Sequence, residues 1–143
     1  MDTGTEAPVD TSDFEAAVCA DPDVVFAVVF GSQVSGDPTQ ASDIDLAVKF
    51  ADDVSERDRF ETVCFLAGDL QRDDRPFVDV SDIDALPIDV AHDAVNGDFL
   101  CGDERAFERF RADVEATFEE QREALRRRQR AVIDRIAEDG LRG

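Results

Sequence analysis

Residues 24–50 read VVFAVVFGSQVSGDPTQASDIDLAVKF, and the fold turns on them. The first seven are apolar without a break and rich in β-branched and aromatic side chains, the pattern of a strand covered on both faces. The last eight, DIDLAVKF at 43–50, read as a second strand in which Asp43 and Asp45 share one face while Ile44 and Leu46 enter the core. Two carboxylates about 6–7 Å apart at the Cα level are unfavourable unless a cation lies between them. Hard oxygen ligands on a rigid strand suit Mg²⁺, which takes one or two carboxylates and keeps positions for a phosphate. Between the two strands, Gly31-Ser32 opens a tight segment that Gly36 closes. Glycine lets backbone N–H groups come close to a phosphate, and the Ser32 hydroxyl adds a donor.

Working outward, Ser12 followed by Glu15 fits a capping box. Phe14, Ala17 and Val18 then give the apolar stripe of a short helix that stops near Asp21-Pro22. Downstream, Ser55 with Asp58 caps a helix whose predicted stripe is Phe60, Val63, Cys64, Ala67 and Leu70, ended by Arg75-Pro76. Residues 77–81 form a third short strand, with Val78 and Val80 on one face and Asp79 on the other. Pro87 suits the first turn of a short helix and Gly97 its exit, and residues 99–101 add a small strand. A long helix is predicted over 103–139, with Phe107, Phe110, Val114, Phe118, Leu125, Val132 and Ile136 as its stripe. The element order implies a small α/β (α+β) domain: a short mixed β-sheet flanked by helices and a long C-terminal helix.

The chain has 143 residues, with 15 Lys+Arg against 35 Asp+Glu and a net charge of −20. This length favours one domain, so residues 1–10 are read as a flexible lead and 11–143 as a single domain. With 43% hydrophobic residues and 11 Phe, the chain can fill a core despite its charge. Lys49 is the one lysine, and Trp and Tyr are absent. Such a chain repels polyanions, which weighs against direct nucleic-acid or membrane binding. At about 1 M salt the Debye length falls to about 3 Å and self-repulsion is screened. The composition resembles that of proteins from halophilic archaea; an acidic mimic of nucleic acid is the rival reading. Cys19, Cys64 and Cys101 lack metal-type spacing and are expected as three reduced, buried thiols. No secretory signal or membrane-spanning run is evident, and a cytoplasmic location is expected. His92 stands alone and is read as an ordinary helix residue.

Gly31-Ser32, ten intervening residues, then Asp43-Ile44-Asp45 is similar to the G-S-x10-D-x-D pattern of the DNA polymerase β-like nucleotidyltransferase superfamily. The likeness, counting the later strand, covers about residues 24–84. It implies a nucleotidyltransferase fold and a third catalytic carboxylate on a later strand, for which Asp79 is the best candidate and Asp82 and Asp84 the runners-up. It also implies that Asp43, Asp45 and Asp79 hold two Mg²⁺ ions on a nucleoside triphosphate, with Gly31, Ser32 and Ser42 as nucleotide-binding residues. The small size resembles the minimal nucleotidyltransferases (MNT, MntA-like), antitoxins paired with a HEPN-domain toxin. That resemblance implies transfer of AMP from ATP to a tyrosine of the HEPN ribonuclease, in trans, since this chain has no Tyr. Relatives commonly carry an arginine after Gly-Ser, where Gln33-Val34-Ser35 stand here.

Two alternatives stay open: an antitoxin that neutralises by contact alone, and a small-molecule nucleotidyltransferase whose acceptor site is completed by dimerising. Homo- or hetero-oligomers are compatible with either. Residues 121–143 carry net +3, leaving −23 on the rest. Arg126, Arg127, Arg128 and Arg130 could face an acidic partner, or simply complement the helix dipole.

Overall fold

A computed structural model of the chain describes residues 12–31 and 43–142. The expected lead at 1–10, Ser32, Gly36, Ser42 and the Gln33-Val34-Ser35 departure lie outside the described residues. Helix α1 (Ser12–Val18) leads into strand β1 (Val24–Phe30), and strand β2 (Ile44–Phe50) is followed by helix α2 (Glu56–Asp69). Strand β3 (Val78–Asp82), a 3-10 turn (Ile83–Ala85), helix α3 (Ile88–Val95), strand β4 (Asp98–Gly102) and helix α4 (Glu104–Arg142) complete the order. The strands form one mixed sheet in the order β3-β2-β1-β4. β1 pairs antiparallel with β2 and β4, whereas β2 pairs parallel with β3 across the α2 connection.

The unbroken apolar run does what its pattern predicts. Ala27 and Val29 pack on one side with Phe14 and Val18 of α1, Leu66 and Leu70 at α2, and Ile44, Leu46, Val48 and Phe50 of β2. Phe26, Val28 and Phe30 pack on the other with Ala91, Ala94 and Val95 of α3 and Phe107 and Val114 of α4. β2 is more lopsided. Its even-numbered residues are core, while Asp45, Ala47 and Lys49 face the α3/α4 side. Period-2 alternation therefore delivers two charges to a face that is otherwise apolar.

Helix termini follow local chemistry. Ser55 accepts from the Asp58 backbone N–H at 3.1 Å and starts α2; Asp103 accepts from the N–H groups of Arg105 and Ala106 at 3.0 and 3.1 Å and starts α4. Pro87 sits at the N-cap of α3, one place ahead of the expected first turn.

Four expectations need correction. α2 ends at Asp69, well before Arg75-Pro76, because the Gln71 amide bridges out to β3: it donates to the Val78 carbonyl at 2.9 Å and accepts from the Val78 N–H at 3.0 Å. The buried stripe of α2 is Val63, Leu66, Ala67 and Leu70, so Phe60 and Cys64, placed inward by the predicted stripe, face solvent. The stripe of α4 is core only in its first turns; Leu125, Val132 and Ile136 are exposed, since the sheet and α3 extend no further along the helix. At about 1.5 Å per residue, the 39 residues of α4 span about 58 Å.

The fourth correction concerns the cysteines. Cys19, just after α1, and Cys101 in β4 form a disulfide with a Cα–Cα distance of 6.3 Å, and Cys64 is free and exposed. The 82-residue separation hid a proximity created by α1 lying against β4. With reagent added to the denatured, unreduced chain, one thiol is expected to react, and three after reduction. Three in both conditions would refute the bridge.

Arg75 fastens α1 to the body. Its guanidinium pairs with Asp13 at 2.9 Å, stacks 4.5 Å from the Phe14 ring centroid, and donates to the Leu70 carbonyl. The hydrogen bond from Arg75 is the main reason the Asp13 carboxyl is held below the usual carboxylate range. Arg75→Ala is expected to cost about 1–3 kcal/mol in urea unfolding, since it removes a nearly buried partner to several groups. A lowered native pKa contributes stability above the ordinary carboxylate value. The loss caused by Asp13→Asn should therefore be full above about pH 5 and shrink as pH falls through about 4 and below.

Candidate active site

The site sits at the sheet edge where β1 ends and β2 and β3 begin, on the α3/α4 side. Asp45 of β2 lies in register with Phe30 at the end of β1 on one side and with Asp79 of β3 on the other. Parallel pairing places Asp45 and Asp79 side by side on one sheet face, because each alternates with core residues: Ile44 and Leu46 in β2, Val78 and Val80 in β3. Asp43 stands one residue before β2, exposed, rather than inside the strand as expected.

Gly31 ends β1 with φ +101°, a conformation that strains any side chain. A Cβ there would lie 2.6 Å from Asp45 Oδ2, so glycine is also what makes room for that carboxylate. Phe30, Gly31, Asp45, Asp79, Ser81, Leu86, Val90 and Asp93 line a cleft of about 500 Å³ at this point. Its lining mixes the acidic Asp45, Asp79 and Asp93 with the apolar Phe30, Leu86 and Val90. The cleft stays open because the part of the α3/α4 face that borders it carries Asp45, Asp79 and Ser81, polar residues that need no helix over them.

Burial pushes the Asp45 carboxyl above the usual carboxylate range, and the charges of Asp79 and then Asp43 push it further. The three carboxylates thus share one field. Among the described residues, no group of three acidic, His or Cys side chains is gathered closely enough to hold a metal ion as it stands. The donor chemistry nevertheless fits a hard cation: three carboxylates, one destabilised by its neighbours and seated against a glycine that leaves it space.

The runners-up are placed elsewhere. Asp82 caps the 3-10 turn by accepting from the Asp84 N–H at 3.0 Å and lies 3.5 Å from Arg59. Asp84 pairs with Lys49 at 2.8 Å and with Arg59 at 3.6 Å. Both serve the turn, Asp82 from the last place of β3 and Asp84 from within the turn itself. His92 stacks on Phe118 with ring centroids 3.8 Å apart, a packing role. Sequence reading missed Leu86, Val90 and Asp93; the i, i+3 spacing of the last two on α3 was the available signal.

A model of the family described as Polymerase beta, Nucleotidyltransferase matches residues 15–106. No curated protein matches the chain. Among solved structures, a mutant of the MntA–HepT toxin–antitoxin is 25% identical, covers 90% of this chain and 98% of its own, and superposes with a TM-score of 0.63. A toxin–antitoxin with AMP-PNP is 23% identical with the same coverages and a TM-score of 0.62. A tri-AMPylated Shewanella oneidensis HEPN toxin in complex with MNT antitoxin gives 22% identity, 87% and 92% coverage and a TM-score of 0.57. Those at 22% and 23% are likenesses of fold.

A carboxyl whose pKa is raised by folding removes stability as pH rises through its titration. Asp45→Asn is therefore expected to raise Tm by a few degrees at neutral pH in metal-free buffer, with the difference closing as pH falls through the carboxylate range. An unchanged or lowered Tm at neutral pH would contradict the repulsion described.

Proposed function

The chain belongs to the polymerase beta nucleotidyltransferase family, and from that premise we propose that it transfers AMP from ATP to a hydroxyl, a tyrosine for preference, of a HEPN-domain toxin, acting as its antitoxin. The carrying observation is the parallel register that sets Asp45 beside Asp79 against Gly31. The solved relatives support the reading: one is a toxin–antitoxin with AMP-PNP, another an AMPylated HEPN toxin with its MNT antitoxin.

Asp43, Asp45 and Asp79 are the residues that would hold Mg²⁺, and Gly31, with Ser32 and Ser42 from outside the described residues, would meet the phosphates. Bound there, Mg²⁺ would neutralise triphosphate charge and polarise the α-phosphorus. The apolar lining from Phe30, Leu86 and Val90 offers a surface for the nucleoside. The acceptor oxygen bonds to the α-phosphorus in line, the bond from that phosphorus to the bridging oxygen breaks, and pyrophosphate leaves with the electron pair. The acceptor's proton passes to the Asp79 carboxylate. With −20 overall, and no cationic side chain among the described residues lining the cleft, the attraction for a polyanion would fall to backbone N–H groups and to the metal that Asp43, Asp45 and Asp79 would hold.

The test is to incubate the protein with the HEPN-domain protein encoded beside it, ATP and Mg²⁺ in high salt, and to weigh the partner. A gain of one or more AMP masses is expected, lost by at least about a hundredfold in Asp43→Ala plus Asp45→Ala. No mass gain, with the toxin still neutralised by the double variant, would establish neutralisation by contact instead.

A further inference from the structure

Beside the nucleotide cleft lies a second, larger concavity of about 660 Å³, between the first turns of α2 and the end of β3. We propose that this groove seats the acceptor: a basic segment of a partner protein that presents a hydroxyl on an aromatic ring. The inference rests on the nucleotidyl-transfer reading above and adds where the acceptor docks and what chemistry it carries.

Position is the first argument. Ser81 and Leu86 line both the groove and the cleft, so the two concavities adjoin and a side chain held in the groove lies next to the carboxylate site. Walls are the second. Phe60, Val63, Ala85 and Leu86 make an apolar slot, and Phe60 is 68% exposed. A large ring left in water at the rim of a concave site is an anchor awaiting a counterpart. An aromatic ring fills such a slot, with its hydroxyl toward Ser81, the polar residue that the groove shares with the cleft.

Charge decides the third feature. Glu56, Asp82 and Asp84 line the groove with a single guanidinium, Arg59, and Lys49 pairs with Asp84 at 2.8 Å, so three negative charges meet two positive ones and the balance is −1. That guanidinium is already engaged: it donates to the carbonyls of Val54 and Ala51 at 3.0 and 3.2 Å and lies 3.5 and 3.6 Å from Asp82 and Asp84. The surface offered to a partner is net acidic, in a body carrying −23. A basic segment is both attracted from a distance and matched on contact.

α2 supplies its own control. Phe65 is 67% exposed on the same helix but does not line the groove. The experiment measures AMP transfer from ATP to the neighbouring HEPN-domain protein with wild type, Phe60→Ala and Phe65→Ala, fitting KM separately for protein and for ATP. Phe60→Ala should raise KM for the protein by at least about tenfold while KM for ATP and Tm stay near wild type; Phe65→Ala should change none of them. Equal KM for the protein in wild type and Phe60→Ala, or an equal loss in both variants, overturns the groove. A wild type that binds ATP but modifies only small hydroxyl compounds overturns the protein acceptor, and one that binds no ATP overturns the underlying reading itself.

Discussion

A strand that is apolar on both faces cannot lie at a surface, and β1 imposes that constraint on everything around it. It must have a neighbour on each edge and a layer on each face. β2 and β4 supply the edges; α1 and α2 cover one face and α3 and the first turns of α4 the other. The price is paid where β1 stops. Gly31 ends the strand, the α3/α4 layer thins over β2 and β3, and Asp45, half-buried, and Asp79, exposed, line a cleft to which no cationic side chain among the described residues contributes. The site is the place where the demand for coverage ends.

Much of this was legible in residues 24–50 and 77–81. An unbroken apolar run predicted double coverage, and alternation around Asp45 and Asp79 told which side chains leave the core. What alternation cannot tell is which strands pair, so the side-by-side register of Asp45 and Asp79 was not a property of either segment alone. The same limit explains the errors. The stripe of α2 was right at Val63, Ala67 and Leu70 but took in Phe60 and Cys64 and passed over Leu66, because all of these are apolar and only the position of β3 decides which row faces inward. Cys19 and Cys101 are joined by tertiary proximity that no spacing rule encodes. Phe60 is the instructive miss: read as core, it stands at the rim of a groove.

The few cations near the site are spent on architecture. Lys49 lies 5.4 Å from the Phe110 ring centroid and ties β2 to the 3-10 turn through Asp84, while Arg59 ties the start of α2 to the same turn. These links hold Leu86 and Ser81 between cleft and groove. The acidic composition, read at first as surface adaptation, thus divides into a solvated majority, a pair that braces the turn, and three carboxylates whose mutual repulsion is offset only by something brought from outside.

The Cys19–Cys101 bridge has a further consequence. It closes a covalent ring that contains all four strands except the final residue of β4, together with the cleft and the groove, and leaves α4 hanging from the ring as a tail. A single backbone cut anywhere between residues 19 and 101 opens the ring but releases no fragment, whereas one cut in the exposed stretch of α4 sheds its arginines at once. While oxidised, the chemistry-bearing part of this protein is a loop that survives a nick, and the basic part is detachable.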